Sequence, residues 1–277
     1  MAVGIIARLT LREAASRKIL WAALILGVAF LALYGVGAYF IQREIVRENT
    51  ALPFRREMYN FMAMAGLYVV NFLVVMMTVL TSVDTLAGEI ASGTIQAVVT
   101  KPLRRSEIVL GKWLGFAVML VLYVALMAGG VAAVTVAVTG FVMPGLARGL
   151  ALIALEGLTL LSVCILGGSL LSTLANGVLA FGLYGLAFAG GWIEQIGSLL
   201  RNEAAVNIGI VSSLLMPSEA LWKRAAFEMQ SPLTRELGSV TPFSATSVPN
   251  ERMILYAVVY IAVMLALALR QFSRRDL

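Results

Sequence analysis

Histidine is absent from the 277 residues, and cysteine occurs once, as Cys164 in an apolar stretch. The first absence removes the commonest general base and the commonest metal ligand together. A lone cysteine builds neither a disulfide framework nor a thiolate metal cluster within one chain. Catalysis of the serine-histidine or zinc type therefore has no residues to rest on, and neither a catalytic residue nor a metal site is expected. An intramembrane enzyme would need a buried catalytic pair, and a passive channel a ring of like charges or a filter motif; neither is evident. Charge is scarce as well: 13% of residues are charged against 60% hydrophobic, and the mean hydropathy is +0.92. No soluble domain of this length carries such a surface in water, so the chain reads as an integral membrane protein. The net charge of +6 comes without a basic stripe interleaved with aromatics outside the apolar runs. It fits attraction to anionic membrane lipid and gives no support to nucleic-acid binding.

Charge-free runs at Ile19 to Gln42, Met58 to Val83, Trp113 to Ala147, Gly157 to Ile193 and Met253 to Leu269 match or approach the about 20 helical residues that cross a hydrocarbon core. The fourth is long enough for parts of two crossings. Asn176 and Gly177 interrupt its apolar pattern, so a tight turn is expected at Thr173 to Gly177, with the preceding helix starting near Gly149. The fold class expected is all-α integral membrane with six transmembrane helices in a single domain, 1–277. The first run is too long for a signal-peptide core and reads as an uncleaved helix. An even number of crossings puts both termini on one side, and Arg8, Arg12, Arg17 and Lys18 with Arg270, Arg274 and Arg275 make that side cytoplasmic. In the opposite loop Arg43, Arg47, Arg55 and Arg56 are offset by Glu44, Glu48 and Glu57.

Residues 1–17 carry Val3, Ile6 and Leu9 near one helical face and Arg8, Arg12 and Glu13 elsewhere. They read as an amphipathic helix at the headgroup level or as a cationic tail that only sets orientation. The largest stretch between spans is 198–250, extracytoplasmic under this topology. Within it Ala204 to Met216 is too short to cross and reads as a re-entrant or interfacial helix, with a second from Glu219 to Met229 capped by Pro217 and Ser218. Pro232, Pro242 and Pro249 then forbid long helix.

Between the second and third spans runs TSVDTLAGEIASGTIQAVVTKPLRRSEIVLGKWLGF. Its charges and turn formers exclude it from the bilayer core. Gly93 permits an unusual backbone angle and Pro102 fixes a bend, so 84–112 reads as helix, turn, short helix, turn and helix, an elbow standing out of the membrane. Its basic members Lys101, Arg104, Arg105 and Lys112 are expected to face headgroups or an acidic partner; the plainer alternative is a loop that only joins two helices. At these residues the chain resembles the permease subunits of type-2 ATP-binding-cassette exporters. The family's ordered pattern of an acid, Gly-Thr, an apolar stretch, Pro, a basic residue, an apolar triplet and Gly-Lys is met by Glu89, Gly93, Thr94, Val98 and Val99, Pro102, Arg105, Ile108 to Leu110, Gly111 and Lys112.

The resemblance implies a coupling helix in the elbow that docks on a separate ATPase, for this chain has no G-x-x-x-x-G-K-[ST] phosphate loop and Lys112 is followed by Trp113. It implies no cofactor in this chain, with ATP and Mg held by the partner. It implies two ATPase copies, a second copy of this permease or a similar one, surrounding membrane lipid, and a bacterial or archaeal plasma membrane. A runner-up reading is a mechanotransmission or assembly component acting on an extracytoplasmic partner protein docked on 198–250. Inside the spans the candidate pathway residues are Glu156, Asn71 and Thr78. Glu156 reads as the one acid well placed within a span, contacting substrate or sitting near the outer interface. Hydroxyls such as Thr78, Thr81, Ser82, Thr135 and Thr139 more often satisfy their own backbone than line a path.

Overall fold

In the computed structural model residues 2–93, 104–232 and 248–274 are described. Ten helices are present among them, and no strand. They are α1 Ala2–Ser16, α2 Lys18–Arg47, α3 Leu52–Ser82, α4 Asp84–Ala91, α5 Arg105–Thr139, α6 Leu146–Leu170, α7 Thr173–Leu199, α8 Glu203–Leu215, α9 Ser218–Met229 and α10 Arg252–Arg274. Six are long and apolar enough to span: α2, α3 with α4 continuing it, α5, α6, α7 and α10. The helices form where the apolar runs are long and free of proline, and they stop at identifiable signals. At the start of α5 the Glu107 carboxylate accepts the Arg104 backbone N–H at 2.9 Å, which satisfies one orphan donor of the first turn. At its other end Gly140 takes φ 69°, a left-handed cap that glycine adopts without a Cβ clash.

The core lies between α3, α5 and α6. Two thirds of the apolar centre of α3 and of α6 is buried (67% each), against 6% for α2, so α2 is a peripheral rod whose Ile25, Leu26, Leu33 and Phe40 face outward. Small residues let the rods touch: Gly66 of α3 meets Tyr34 of α2, and Gly157 of α6 meets Leu120 of α5. In lipid, where apolar surface gains little from association alone, such close packing is what holds helices together.

Helix α1 forms as expected but does more than lie flat. It runs against the start of α5, where a Cβ on Gly111 would stand 2.6 Å from Ile6 Cβ and one on Gly115 2.9 Å from the Ala7 carbonyl. Its buried face is Ile6, Ala7, Thr10 and Ala14, while Leu9 is exposed on another face. The grouping of Leu9 with Ile6 is thus corrected: a three-residue step falls short of a full turn, and the docked face follows the four-residue steps Ile6 to Thr10 to Ala14.

The turn expected at Thr173 to Gly177 is also corrected. Helix α6 ends at Leu170 and α7 begins at Thr173, with Leu171 and Ser172 extended between them. Asn176 is buried inside α7, and its amide donates to the Val83 carbonyl at 3.0 Å and to the Cys164 carbonyl at 2.9 Å. A side chain read as a turn former is a tertiary donor, which takes up the carbonyl at the α3–α4 junction.

Helices α8 and α9 make a hairpin bent by 105°. Helix α8 lies on α7, where a Cβ on Gly209 would come 2.3 Å from Glu194 Cβ, and α9 lies on α6, with Gly149 accommodating Met229. The hairpin is fastened to the first turns of α3: Asn60 donates to the Met229 carbonyl at 3.0 Å and accepts from Ser231 N–H at 3.2 Å, and Glu57 accepts from Ser231 Oγ. It therefore sits at the end of the bundle opposite the elbow.

Candidate functional site

Two polar assemblies stand out in a bundle this apolar. The first gathers at the elbow end. Lys112, near the start of α5, donates to Glu89 Oε1 in α4, with side-chain exposures of 7% and 17%. The pair ties together the two helices on either side of the segment 94–103. Glu89 Oε2 has no partner among the described residues. Lys112 accordingly does not face headgroups: packing of α1 over Gly111 and Gly115 covers this part of α5, and an ammonium buried there needs the carboxylate.

Four further bonds carry the elbow to the rest of the molecule. Asp84, the first residue of α4, accepts from Arg17 Nη1 at 3.4 Å and from Thr173 Oγ1 at 2.8 Å, joining the α1–α2 junction to the start of α7. Arg105 donates to the Phe272 and Ser273 carbonyls at 3.4 and 3.1 Å. A guanidinium against the free carbonyls and negative dipole end of α10 satisfies groups that the helix itself leaves open. Gly93 takes φ 71°, the left-handed angle expected of it. Of the predicted elbow residues, Glu89, Gly93, Arg105, Gly111 and Lys112 are thus placed at one end of the bundle, whereas Thr94 and Pro102, with Val98, Val99 and Lys101, lie outside the described residues.

The second assembly is internal. Glu156, 1% exposed near the midpoint of α6, accepts at Oε1 from Asn71 Nδ2 of α3 at 3.2 Å. At that position its carboxyl is enclosed by neighbouring helices. Thr78 is not part of it, because its hydroxyl donates to the Val74 carbonyl of its own helix at 2.7 Å, as Thr81, Ser82, Thr135 and Thr139 do to theirs. Toward the hairpin lie Glu194 of α7 and Glu219 and Lys223 of α9, each at most 7% exposed. Lys223 donates to Glu194 Oε2 at 2.9 Å and to the Gly191 carbonyl at 3.0 Å. Burial pushes the Glu219 carboxyl up to about 7; the Lys223 ammonium draws it down and Glu194 adds to the rise.

Glu156 is therefore not the one acid within a span, since Glu194 is buried in α7. It was hidden because it stands one residue past a charge-free run. Glu219 and Lys223, four residues apart on a helix, are a signal that α9 presents one polar face, but no sequence feature tells whether that face meets water or protein.

Among the described residues no group of three or more acids or cysteines is arranged to hold a metal ion. No curated protein matches this chain. The model of the ABC-2 family transporter proteins matches residues 5–277, nearly the whole length and including the elbow, so the chain belongs to that family and is an integral, multi-pass permease component of an ABC transporter.

Proposed function

We propose that this permease is the membrane half of an exporter and that its elbow receives the stroke of a separate cassette ATPase. The observation that carries the reading is the bracing of the elbow: Glu89 with Lys112 clamps its two walls, while Asp84 and Arg105 fasten it to α1, α2, α7 and α10. A push on a braced elbow moves the ends of several spans together, whereas a loose loop would absorb it. Two permease copies and two ATPase copies make up the working unit, and ATP with Mg belongs to the ATPases. The elbow and both described chain ends share one end of the bundle, where Arg8, Arg12, Arg17 and Arg274 cluster. The arginines of the opposite loop are offset by Glu44, Glu48 and Glu57, and this difference supports a cytoplasmic placement of the termini in a bacterial or archaeal plasma membrane.

The test reconstitutes the full chain with its co-expressed cassette ATPase in vesicles and follows ATP hydrolysis beside the movement of a panel of fluorescent amphiphiles. Gly93→Pro and Arg105→Glu are expected to insert normally and to hydrolyse ATP without moving cargo. Wild-type transport in both variants, or a chain that retains no ATPase on purification, overturns the reading.

A further inference from the structure

The contact between Glu156 and Asn71 is incomplete in a specific way. One hydrogen bond is made, Asn71 Nδ2 to Glu156 Oε1, and two acceptors remain, Glu156 Oε2 and Asn71 Oδ1, both without a partner. Both side chains are more than nine-tenths buried, at 1% and 4% exposure. Turning the Asn71 amide over does not help, since it would set oxygen against oxygen and strand the Nδ2 protons as well. What the pair lacks is a donor.

The neighbours do not supply one. Glu219 of α9 and Tyr184 of α7 are the groups in electrostatic reach of Glu156. Tyr68, on α3 beside Asn71, is engaged by Trp192. The Lys223 ammonium is committed to Glu194 and the Gly191 carbonyl. Among the described residues Glu156 thus has a second carboxyl and no free cation within electrostatic reach, and no multi-acid metal site is formed.

We propose that this is a proton-binding site: Glu156 Oε2 carries a proton and donates it to Asn71 Oδ1, closing an acid–amide ring of two hydrogen bonds. One proton satisfies both stranded acceptors and removes a charge that hydrocarbon surroundings oppose. The result is a neutral clasp between α3, which continues into the elbow helix α4, and α6, which carries the α9 half of the hairpin. Loss of the proton leaves a carboxylate facing Glu219 across α6 and α9 and breaks the ring, so release loosens the joint between the two ends of the permease. The inference does not depend on the direction or cargo of transport.

Infrared difference spectra of the full chain in lipid nanodiscs test it, comparing wild type with Glu156→Gln in H2O and D2O at neutral pH. The expected difference is a protonated-carboxyl band, present in wild type only and moved down by D2O; Asn71→Leu should retain that band at a higher frequency, its acceptor gone. Glutamine can reproduce both bonds, with Nε2 in the proton's place, so Glu156→Gln should melt within about 3 °C of wild type while Glu156→Leu melts well below it. A difference spectrum showing only carboxylate bands overturns the proposal. So does a carboxyl band abolished by tetraethylammonium or sodium, which would make the site one for cations, or a Glu156→Gln melt as low as that of Glu156→Leu.

Discussion

At the scale of the residue, the buried charges set the largest single effects. Lys112→Met leaves Glu89 as a largely buried, uncompensated carboxylate and is expected to cost about 3–5 kcal/mol, read as a lower midpoint of thermal unfolding in nanodiscs; adding Glu89→Gln should recover most of the loss, because the second change removes the stranded charge. Glu219 sets a pH dependence of opposite sense to that of an ordinary salt-bridged acid. Its folded value of about 7 lies above the ordinary 4.5, so between those values the folded state holds a proton that the unfolded state has released. Below the window both states are protonated and nothing is lost; as pH rises through it the docking of the hairpin weakens, and above about 7 the loss is complete. The thermal midpoint of wild type should therefore fall more steeply from about pH 5 to 8 than that of Glu219→Gln. Parallel curves for the two would show that Glu219 titrates like an exposed acid. Sequence reasoning reached Glu89 and Lys112 as two members of one ordered motif yet turned Lys112 toward headgroups or an acidic partner without pairing the two, because a contact across 23 residues depends on how α4 and α5 cross. Glu194 escaped for a simpler reason: charge-free runs mark where spans are, and an acid just past the edge of one looks like the start of a loop.

At the scale of the element, spans were legible and joints were not. The six long helices follow from uninterrupted apolar runs, since length and apolarity alone decide whether a helix satisfies the bilayer. The two-helix hairpin before α10 was legible from Pro217 and from segments too short to cross. The α6–α7 joint was misplaced because Asn176 has the same local preference whether it turns the chain or reaches a carbonyl on another helix; only the presence of Val83 and Cys164 nearby decides. The docking of α1 was invisible for a related reason: Gly111 and Gly115 read as part of a motif and of a span, and that they form a seat for another helix appears only once α1 is folded against them. Filling the seat should release the helix. Gly115→Leu is expected to drive α1 from α5 at a cost of about 1–3 kcal/mol, with amide exchange in residues 2–16 rising roughly tenfold or more and the six spans unchanged. Unaltered exchange would mean that α1 is held by contacts elsewhere.

At the scale of the molecule, stability and coupling separate, and the bond network at the elbow end shows where. The Arg17–Asp84 contact is long, 3.4 Å, and its carboxylate is 45% exposed. Such a pair contributes about 0–1 kcal/mol to folding, and Thr173 adds a single hydroxyl bond. Yet Asp84 is the point where the elbow helix touches both the α1–α2 junction and the first turn of α7, so it matters for transmission out of proportion to its energy. Asp84→Lys is therefore expected to leave the melting temperature of the permease within a few degrees of wild type, while amphiphile movement per ATP hydrolysed falls severalfold in reconstituted vesicles. Lys112→Met should do the reverse in part, lowering stability sharply because its charge is buried. If Asp84→Lys instead lowers melting and transport together, the elbow acts through overall rigidity of the bundle and not through particular links. If transport per ATP is unchanged, the stroke enters the spans by the direct continuation of α3 into α4 and the lateral ties are dispensable.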